Sequence, residues 1–105
     1  MKLYLKPSCS TCRTAKSALR EKGVAFEEID LNLGLTVEAL DQLIGARDYR
    51  DFLNTRNELY RERDMKNSPP SRAEALKLMS ETPNLIKRPI LVDGDRIVLG
   101  SDVGK

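Results

Sequence analysis

Residues 1–31, MKLYLKPSCSTCRTAKSALREKGVAFEEIDL, are the stretch that decides the fold. The apolar run at residues 1–5 predicts a short strand, and the alternating residues 24–31 predict a second one. Residues 10–22 predict a helix, because their apolar side chains recur on one face and Gly23 follows as a stop. Strand, helix and strand in about 30 residues form a βαβ unit. We therefore expect the two strands to be parallel, with a right-handed crossover.

The middle of the chain has a helical pattern. Thr36 precedes an apolar stripe at helical spacing, and Asp48 can cap a short turn. Weaker helical spacing continues from Leu59. A further helix begins at Ser71, because Ser71 and Glu74 fit a capping box.

The last part of the chain changes period. Residues 88–100, RPILVDGDRIVLG, read as strand, Asp-Gly turn and strand, which is a strong local signal for a β-hairpin. A length of 105 residues suggests one domain with one modest core. We predict a single α/β domain with a small mixed sheet. It comprises a βαβ unit at 1–31, a helical insertion after the second strand at 32–83, and a terminal β-hairpin at 84–105.

Composition narrows the class of protein. The chain has 18 basic and 16 acidic residues, and this net charge of +2 gives no reason to expect direct nucleic-acid binding. It has no run of about 18 apolar residues that could cross a membrane. Lys6 ends the first apolar run before a signal-peptide core is complete. We therefore expect a cytoplasmic protein with no membrane partner.

Histidine is absent from the chain, and Cys9 and Cys12 are its only cysteines. The absence of histidine excludes Cys–His catalysis and histidine metal ligands. A zinc site needs about four ligands, and no second CxxC pair supplies them. We expect no bound metal, because a cytoplasmic CxxC pair beside a βαβ pattern is more typical of redox chemistry.

The two cysteines lie where a helix begins. Free amides and the positive end of the helix dipole favour a thiolate at Cys9, and Arg13 adds positive charge nearby. Cys12, one turn on, can attack a sulfur adduct at Cys9 and close a disulfide. A structural role stays open, because Cys12 also continues the apolar stripe of Ala15 and Leu19.

Two arginines are further candidates for the site. Arg88 precedes Pro89, which restricts it to an extended conformation, and its planar guanidinium suits an oxyanion or a carboxylate. The Arg88–Pro89 bond is expected to be trans on frequency alone. Arg56 lies in NTRN, among residues that favour turns and caps. The alternative for each arginine is an ordinary surface or ion-pair role.

Three stretches together resemble a known family: PSCSTCRTAK at 7–16, FLNTRNELYRE at 52–62 and LIKRPILVDGDRIVLG at 85–100. They resemble the arsenate reductase family of the thioredoxin-like fold, which includes Spx-type transcription regulators and small reductase-like proteins of unknown substrate. The resemblance implies a four-stranded mixed sheet with a helical insertion after the second strand. It also implies that Cys9 is the reactive cysteine, that Pro89 is a cis-proline beside it, and that Arg88 binds the anion.

The chain departs from this family pattern in three places. Glutaredoxin-coupled arsenate reductases of the family carry one cysteine in this loop, whereas Cys12 is a second one, as in the Spx-type regulators. Those regulators have a glycine on their polymerase-facing surface where this chain has Asp48. The chain ends at SDVGK, where relatives continue into a further helix, so either it is trimmed or one face of the sheet is less covered.

These observations predict a thiol-dependent oxidoreductase. Cys9 attacks a small oxyanion or a disulfide, and Arg88, with Arg13 or Arg56, stabilises negative charge. Cys12 or glutathione resolves the adduct, with no bound cofactor and with glutathione, thioredoxin or glutaredoxin as electron donor. The alternatives are a non-enzymatic, Spx-like redox sensor that binds RNA polymerase and a glutathione-docking module without turnover.

Overall fold

The structure is a computed structural model that describes residues 1–104. It divides into two compact units, one formed by Met1–Leu31 with Arg88–Lys105 and the other by Asn32–Lys87. The second unit extends beyond the predicted end at 83, because the Lys87 N–H donates to the Phe52 carbonyl over 2.8 Å. The expectation that the chain folds as a single domain stays a prediction.

The first unit contains a four-stranded sheet with the order β2-β1-β3-β4. The strands are β1 (Lys2–Leu5), β2 (Glu27–Asp30), β3 (Ile90–Asp93) and β4 (Arg96–Leu99). β1 pairs with β2 in parallel, while the β1–β3 and β3–β4 pairs are antiparallel. The predicted mixed sheet, the parallel first pair and the terminal hairpin are therefore confirmed.

The second strand is shorter than the predicted 24–31. The Val24 N–H donates to the Leu19 carbonyl over 3.1 Å, which closes the end of the preceding helix and keeps residue 24 out of the ladder. Val24 and Phe26 instead pack against the apolar cluster of this unit. The apolar alternation of Val24 and Phe26 shifts by one position before Ile29, and the chain enters the sheet within this shift, at Glu27.

Helix α1 (Ser10–Glu21) connects β1 to β2 and has one buried face. That face belongs to an apolar cluster with the inward side chains of the strands, formed by Leu3, Leu5, Cys12, Ala15, Leu19, Leu91 and Val103. Burying one large aliphatic side chain stabilises a fold by about 1.5–3 kcal/mol. An ion pair of 2.5 Å between Lys16 Nζ and Glu28 Oε1 also ties α1 to β2.

The second unit contains the predicted helices, α2 (Val37–Ile44), α3 (Glu58–Glu62) and α4 (Arg72–Glu81). Each is capped by a side-chain oxygen: Thr36 accepts from the Ala39 N–H, Asn57 from the Leu59 N–H, and Ser71 from the Glu74 N–H. α3 is short, and Asp64 soon follows it in the left-handed region with φ 49°. None of the helices within residues 1–104 is long and apolar enough to cross a membrane.

Candidate thiol site

Cys9 is the residue immediately before α1. Its backbone is extended, with φ −84° and ψ 124°, and its N–H donates to the Lys6 carbonyl over 2.9 Å. Its own carbonyl accepts from the Arg13 N–H over 3.0 Å, which starts the helix. The side chain is half-buried, and the thiol is free. The loop and the first helical turn therefore fix the Cys9 sulfur at the amide end of the helix, as the sequence predicts.

The surroundings of Cys9 favour its thiolate. Partial burial opposes ionisation, but hydrogen bonds from the Cys12 amide and thiol outweigh it, with a hydrogen bond and positive charge from Arg88. Together they hold the pKa of the Cys9 thiol below its usual value. The sulfur makes no tight capping bond of the kind that an oxygen makes, so its contact with the Cys12 amide is a loose one.

Cys12 lies in the opposite environment. Its side chain is 1% exposed and belongs to the apolar cluster beneath α1. Burial is the main reason that the pKa of the Cys12 thiol is raised to about 11, and the negative charge on Cys9 adds to it. A backbone hydrogen bond from Lys6 and the charge of Arg88 act in the other direction. The two thiols therefore differ in acidity, with the pKa of Cys9 lowered and that of buried Cys12 raised, and the two sulfurs are not bonded.

Arg88 and Pro89 directly precede β3 and supply the second part of the site. The Arg88–Pro89 peptide bond is cis, the form that the resemblance implies and not the trans form expected on frequency alone. Arg88 is half-buried and interacts with both thiols. The Pro89 carbonyl accepts from the Gly100 N–H over 2.8 Å.

The structure thus brings Arg88 to Cys9 and Cys12, and Pro89 is the neighbour of Arg88 in the chain. Arg13 is exposed on α1 and lines a shallow groove with Thr14, Ser17, Ala18 and Glu21. Arg56 belongs to the second unit, where its N–H donates to Asn54 Oδ1 in a turn. A role for Arg13 or Arg56 stays a prediction.

Some residues at the thiols carry no signal in the sequence. The Lys6 backbone reaches Cys12, and Val103 packs in the same cluster as Cys12. The Lys6 contact depends on the conformation of the loop before α1, and the position of Val103 depends on where the chain returns in three dimensions. Within residues 1–104, no group of three or more Cys, Asp or Glu side chains is placed to hold a metal ion.

Comparison with known proteins identifies the family to which this chain belongs. The family model described as "ArsC family" matches residues 4–104, and the chain belongs to this family. Because the match includes both the thiol loop and the Arg88–Pro89 strand, the whole site described above lies within the family's domain.

Individual relatives carry two different names. The chain is 31% identical to the global transcriptional regulator Spx of Streptococcus mutans, covering 93% of this chain and 74% of that protein. It is 33% identical to an arsenate reductase of Haemophilus influenzae, covering 93% of this chain and 88% of that protein. The solved arsenate reductase from Vibrio cholerae is 31% identical with a TM-score of 0.77, covering 92% of this chain and 87% of that one. The family therefore includes both reductases and regulators.

Proposed function

We propose that this protein is a thiol-dependent oxidoreductase that uses Cys9 as its nucleophile. One observation carries the proposal. The half-exposed Cys9 sulfur has its pKa lowered by Cys12 and Arg88, at the open end of a helix. A lowered pKa increases the fraction of thiolate, and the thiolate is the nucleophile in thiol exchange and in attack on oxidised centres.

The residues of the site take separate roles in this proposal. Cys9 attacks, and Arg88 stabilises the negative charge of an oxyanion or of a leaving thiolate. Pro89 is buried and lies next in the chain, where its cis peptide bond sets the direction of the backbone at Arg88. Arg13 and Arg56 are secondary candidates for binding an anion that approaches from solvent.

The reaction has two steps for an oxyanion substrate such as arsenate. First, the Cys9 sulfur forms a bond to the central atom, and one oxygen leaves as water. Second, a thiolate attacks the Cys9 sulfur and forms a disulfide, and the electron pair of the broken bond stays on the central atom, which is reduced by two electrons. For a disulfide substrate, attack by Cys9 forms a mixed disulfide and releases one thiolate.

Two thiols can perform the second step. Cys12 is adjacent but is buried and protonated at neutral pH. Glutathione can approach the exposed side of Cys9, with glutaredoxin or thioredoxin restoring the reduced state. In either case the protein needs no bound cofactor.

The test is arsenate-dependent NADPH oxidation, run once with glutathione and glutaredoxin and once with thioredoxin. Turnover that is absent in Cys9→Ser and present in Cys12→Ser would support the proposal, with glutathione as the resolving thiol. Loss in both variants, with Cys9 still alkylated at the wild-type rate in Cys12→Ser, would make Cys12 the resolving thiol. No turnover with either donor would remove arsenate as the substrate, and a small disulfide would then be tested in the same assay.

A second candidate function is redox-controlled regulation through RNA polymerase. The observation that favours it is the second cysteine, together with 31% identity to a protein named Spx. The exposed Asp48, paired with Arg50 at 2.8 Å, counts against it, since the resemblance implies a glycine there. Affinity capture from native lysate with reduced and oxidised protein tests this candidate. If neither form retains polymerase, the regulator function is removed.

A further inference from the structure

The segment Gly100–Gly104 runs from the end of β4 to α1. Gly100 is buried with φ 63°, a left-handed conformation that suits glycine, and it turns the chain out of the sheet. A 3₁₀ turn over Gly100–Asp102 follows, in which the Val103 N–H donates to the Gly100 carbonyl over 3.1 Å. This segment touches the thiol site at two places and α1 at a third.

The first contact is with the strand that carries the arginine. The Gly100 N–H donates to the Pro89 carbonyl over 2.8 Å, which continues the β3–β4 ladder by one step beyond the pair Ile90–Leu99. Because Pro89 directly follows Arg88, this bond fixes the backbone from which the guanidinium reaches Cys9.

The second contact is with the apolar cluster in which Cys12 is buried. Val103 is 4% exposed and lies in the apolar cluster that contains Cys12 and Ala15. Cys9 is partly buried and packs against the same cluster. Removing Val103 from the cluster would bring water toward the Cys12 sulfur.

The third contact holds the segment down on the helix. The backbone of Gly104 lies so close to α1 that an added Cβ would meet the Ala18 Cβ at 2.8 Å and the Ala15 carbonyl oxygen at 3.3 Å. Gly104 also has φ 87°, which a side chain rarely adopts. Lys22 Nζ donates to the Gly104 carbonyl over 2.7 Å. Only glycine allows this approach.

We propose that Gly100–Gly104 is a positioning element of the thiol site, which keeps Cys12 buried and Arg88 in place and so maintains the reactivity of Cys9. The inference rests on the proposed thiol chemistry at Cys9. None of its residues touches the substrate or forms a bond in the reaction.

The proposal has a specific signature in the acidity of the two thiols. The groups that act on them are each other, Arg88 and the Lys6 backbone. If the segment is displaced, Cys12 becomes hydrated, and its pKa falls from about 11. The hydrogen bonds from Cys12 and Arg88 to Cys9 weaken at the same time, so the pKa of Cys9 rises. The two values converge, which a general loss of stability in a folded protein does not produce.

The experiment compares Gly104→Ala with Gly94→Ala. Both glycines have positive φ, but an added Cβ at Gly94 meets nothing within 4 Å, so this variant controls for backbone strain alone. Iodoacetamide alkylation is followed from pH 5 to 11 by peptide mass spectrometry, which reads Cys9 and Cys12 separately. We expect Gly104→Ala to slow Cys9 about tenfold at pH 6, the effect of one pKa unit, and to speed up Cys12. Gly94→Ala should match the wild type.

A second pair of variants covers the case in which Gly104→Ala fails to fold. Val103→Ala is compared with Val24→Ala, because both valines touch the same apolar cluster and only Val24 follows the far end of α1. Val103→Ala should shift both thiols and Val24→Ala neither. Identical profiles within each pair would overturn the inference. A wild-type Cys9 of ordinary acidity would instead overturn the proposed function itself, so the two failures are distinguishable.

Discussion

The N-terminus of α1 and the N-terminus of α2 solve the same physical problem in different ways. Every helix begins with amides that lack partners inside the helix. At α2, the Thr36 hydroxyl accepts from the Ala39 N–H over 3.1 Å. At α1, Cys9 occupies the capping position, and its sulfur makes no tight capping bond.

The N-terminus of α2 is capped in a way that adds stability, whereas the N-terminus of α1 leaves its amides able to interact with a thiolate. A cap such as Thr36 contributes about 1 kcal/mol to stability and leaves the amides occupied. Sulfur is a weak acceptor, so the first turn of α1 gains less from its cap. Its amides and dipole are instead available to stabilise the charge of a thiolate.

The largest effect is expected when α1 receives a conventional cap in place of Cys9. Cys9→Ser should abolish alkylation and turnover at this position, a loss of at least about a thousandfold, because the nucleophile is gone. The same change should raise the free energy of unfolding by about 0.5–1 kcal/mol, since serine is a strong N-cap. Rate assays and urea unfolding measure the two effects. Cys9→Ala serves as the control, with the same loss of rate and no gain in stability.

Arg88 provides the next largest effect. Arg88→Met keeps much of the side-chain length and removes the charge and the donors that act on Cys9. We expect the pKa of Cys9 to rise by about one unit, so alkylation at pH 6 should slow about tenfold. The pH profile of alkylation measures this shift. Arg96→Met, on the exposed hairpin, is the control, and an unchanged profile in Arg88→Met would contradict the charge argument.

The buried Cys12 thiol should make the free energy of unfolding depend on pH. Its pKa is about 11 in the folded protein and about 8.5 in an unfolded chain, so the unfolded chain loses its proton first as pH rises. The stability contributed by the neutral thiol is present below pH 8.5 and is lost as pH rises toward 11.

Urea unfolding measures this pH dependence of stability. The proteins also carry Cys9→Ser, so that Cys12 is the one thiol that titrates. With Cys12 present, the free energy of unfolding should fall by up to about 3 kcal/mol more between pH 8 and 11 than with Cys12→Ala. This is the upper bound, because Cys9→Ser removes the part of the Cys12 pKa shift that comes from Cys9. Equal slopes in the two proteins would show that Cys12 has an ordinary acidity in the fold.

The smallest effect is expected at the conventional cap. Thr36→Ala should lower the free energy of unfolding by about 1 kcal/mol and leave the pH profile of Cys9 alkylation unchanged. Thr36→Ser retains the hydroxyl and should restore most of the stability. A change in Cys9 reactivity in either variant would show that the two helix ends are not independent.

Sequence reasoning succeeded where the signal is local. The Asp-Gly turn predicted the β3–β4 hairpin, Gly23 predicted the end of α1, and Thr36 and Ser71 predicted their capping bonds. It overestimated β2, because hydrophobic alternation does not distinguish a side chain in the ladder from one packed beside it. Val24 and Phe26 belong to the second kind.

The sequence by itself determined that Cys9 lies just before α1, because the order of side chains along the chain fixes where this helix begins. The tertiary structure alone decided how far apart in acidity the two thiols are. That difference depends on the burial of Cys12 in an apolar cluster that also contains Val103, and on the approach of Arg88 to Cys9. Both involve residues that are distant in sequence. Their effect on acidity arises from desolvation and charge, which depend on the tertiary structure and not on any local sequence pattern.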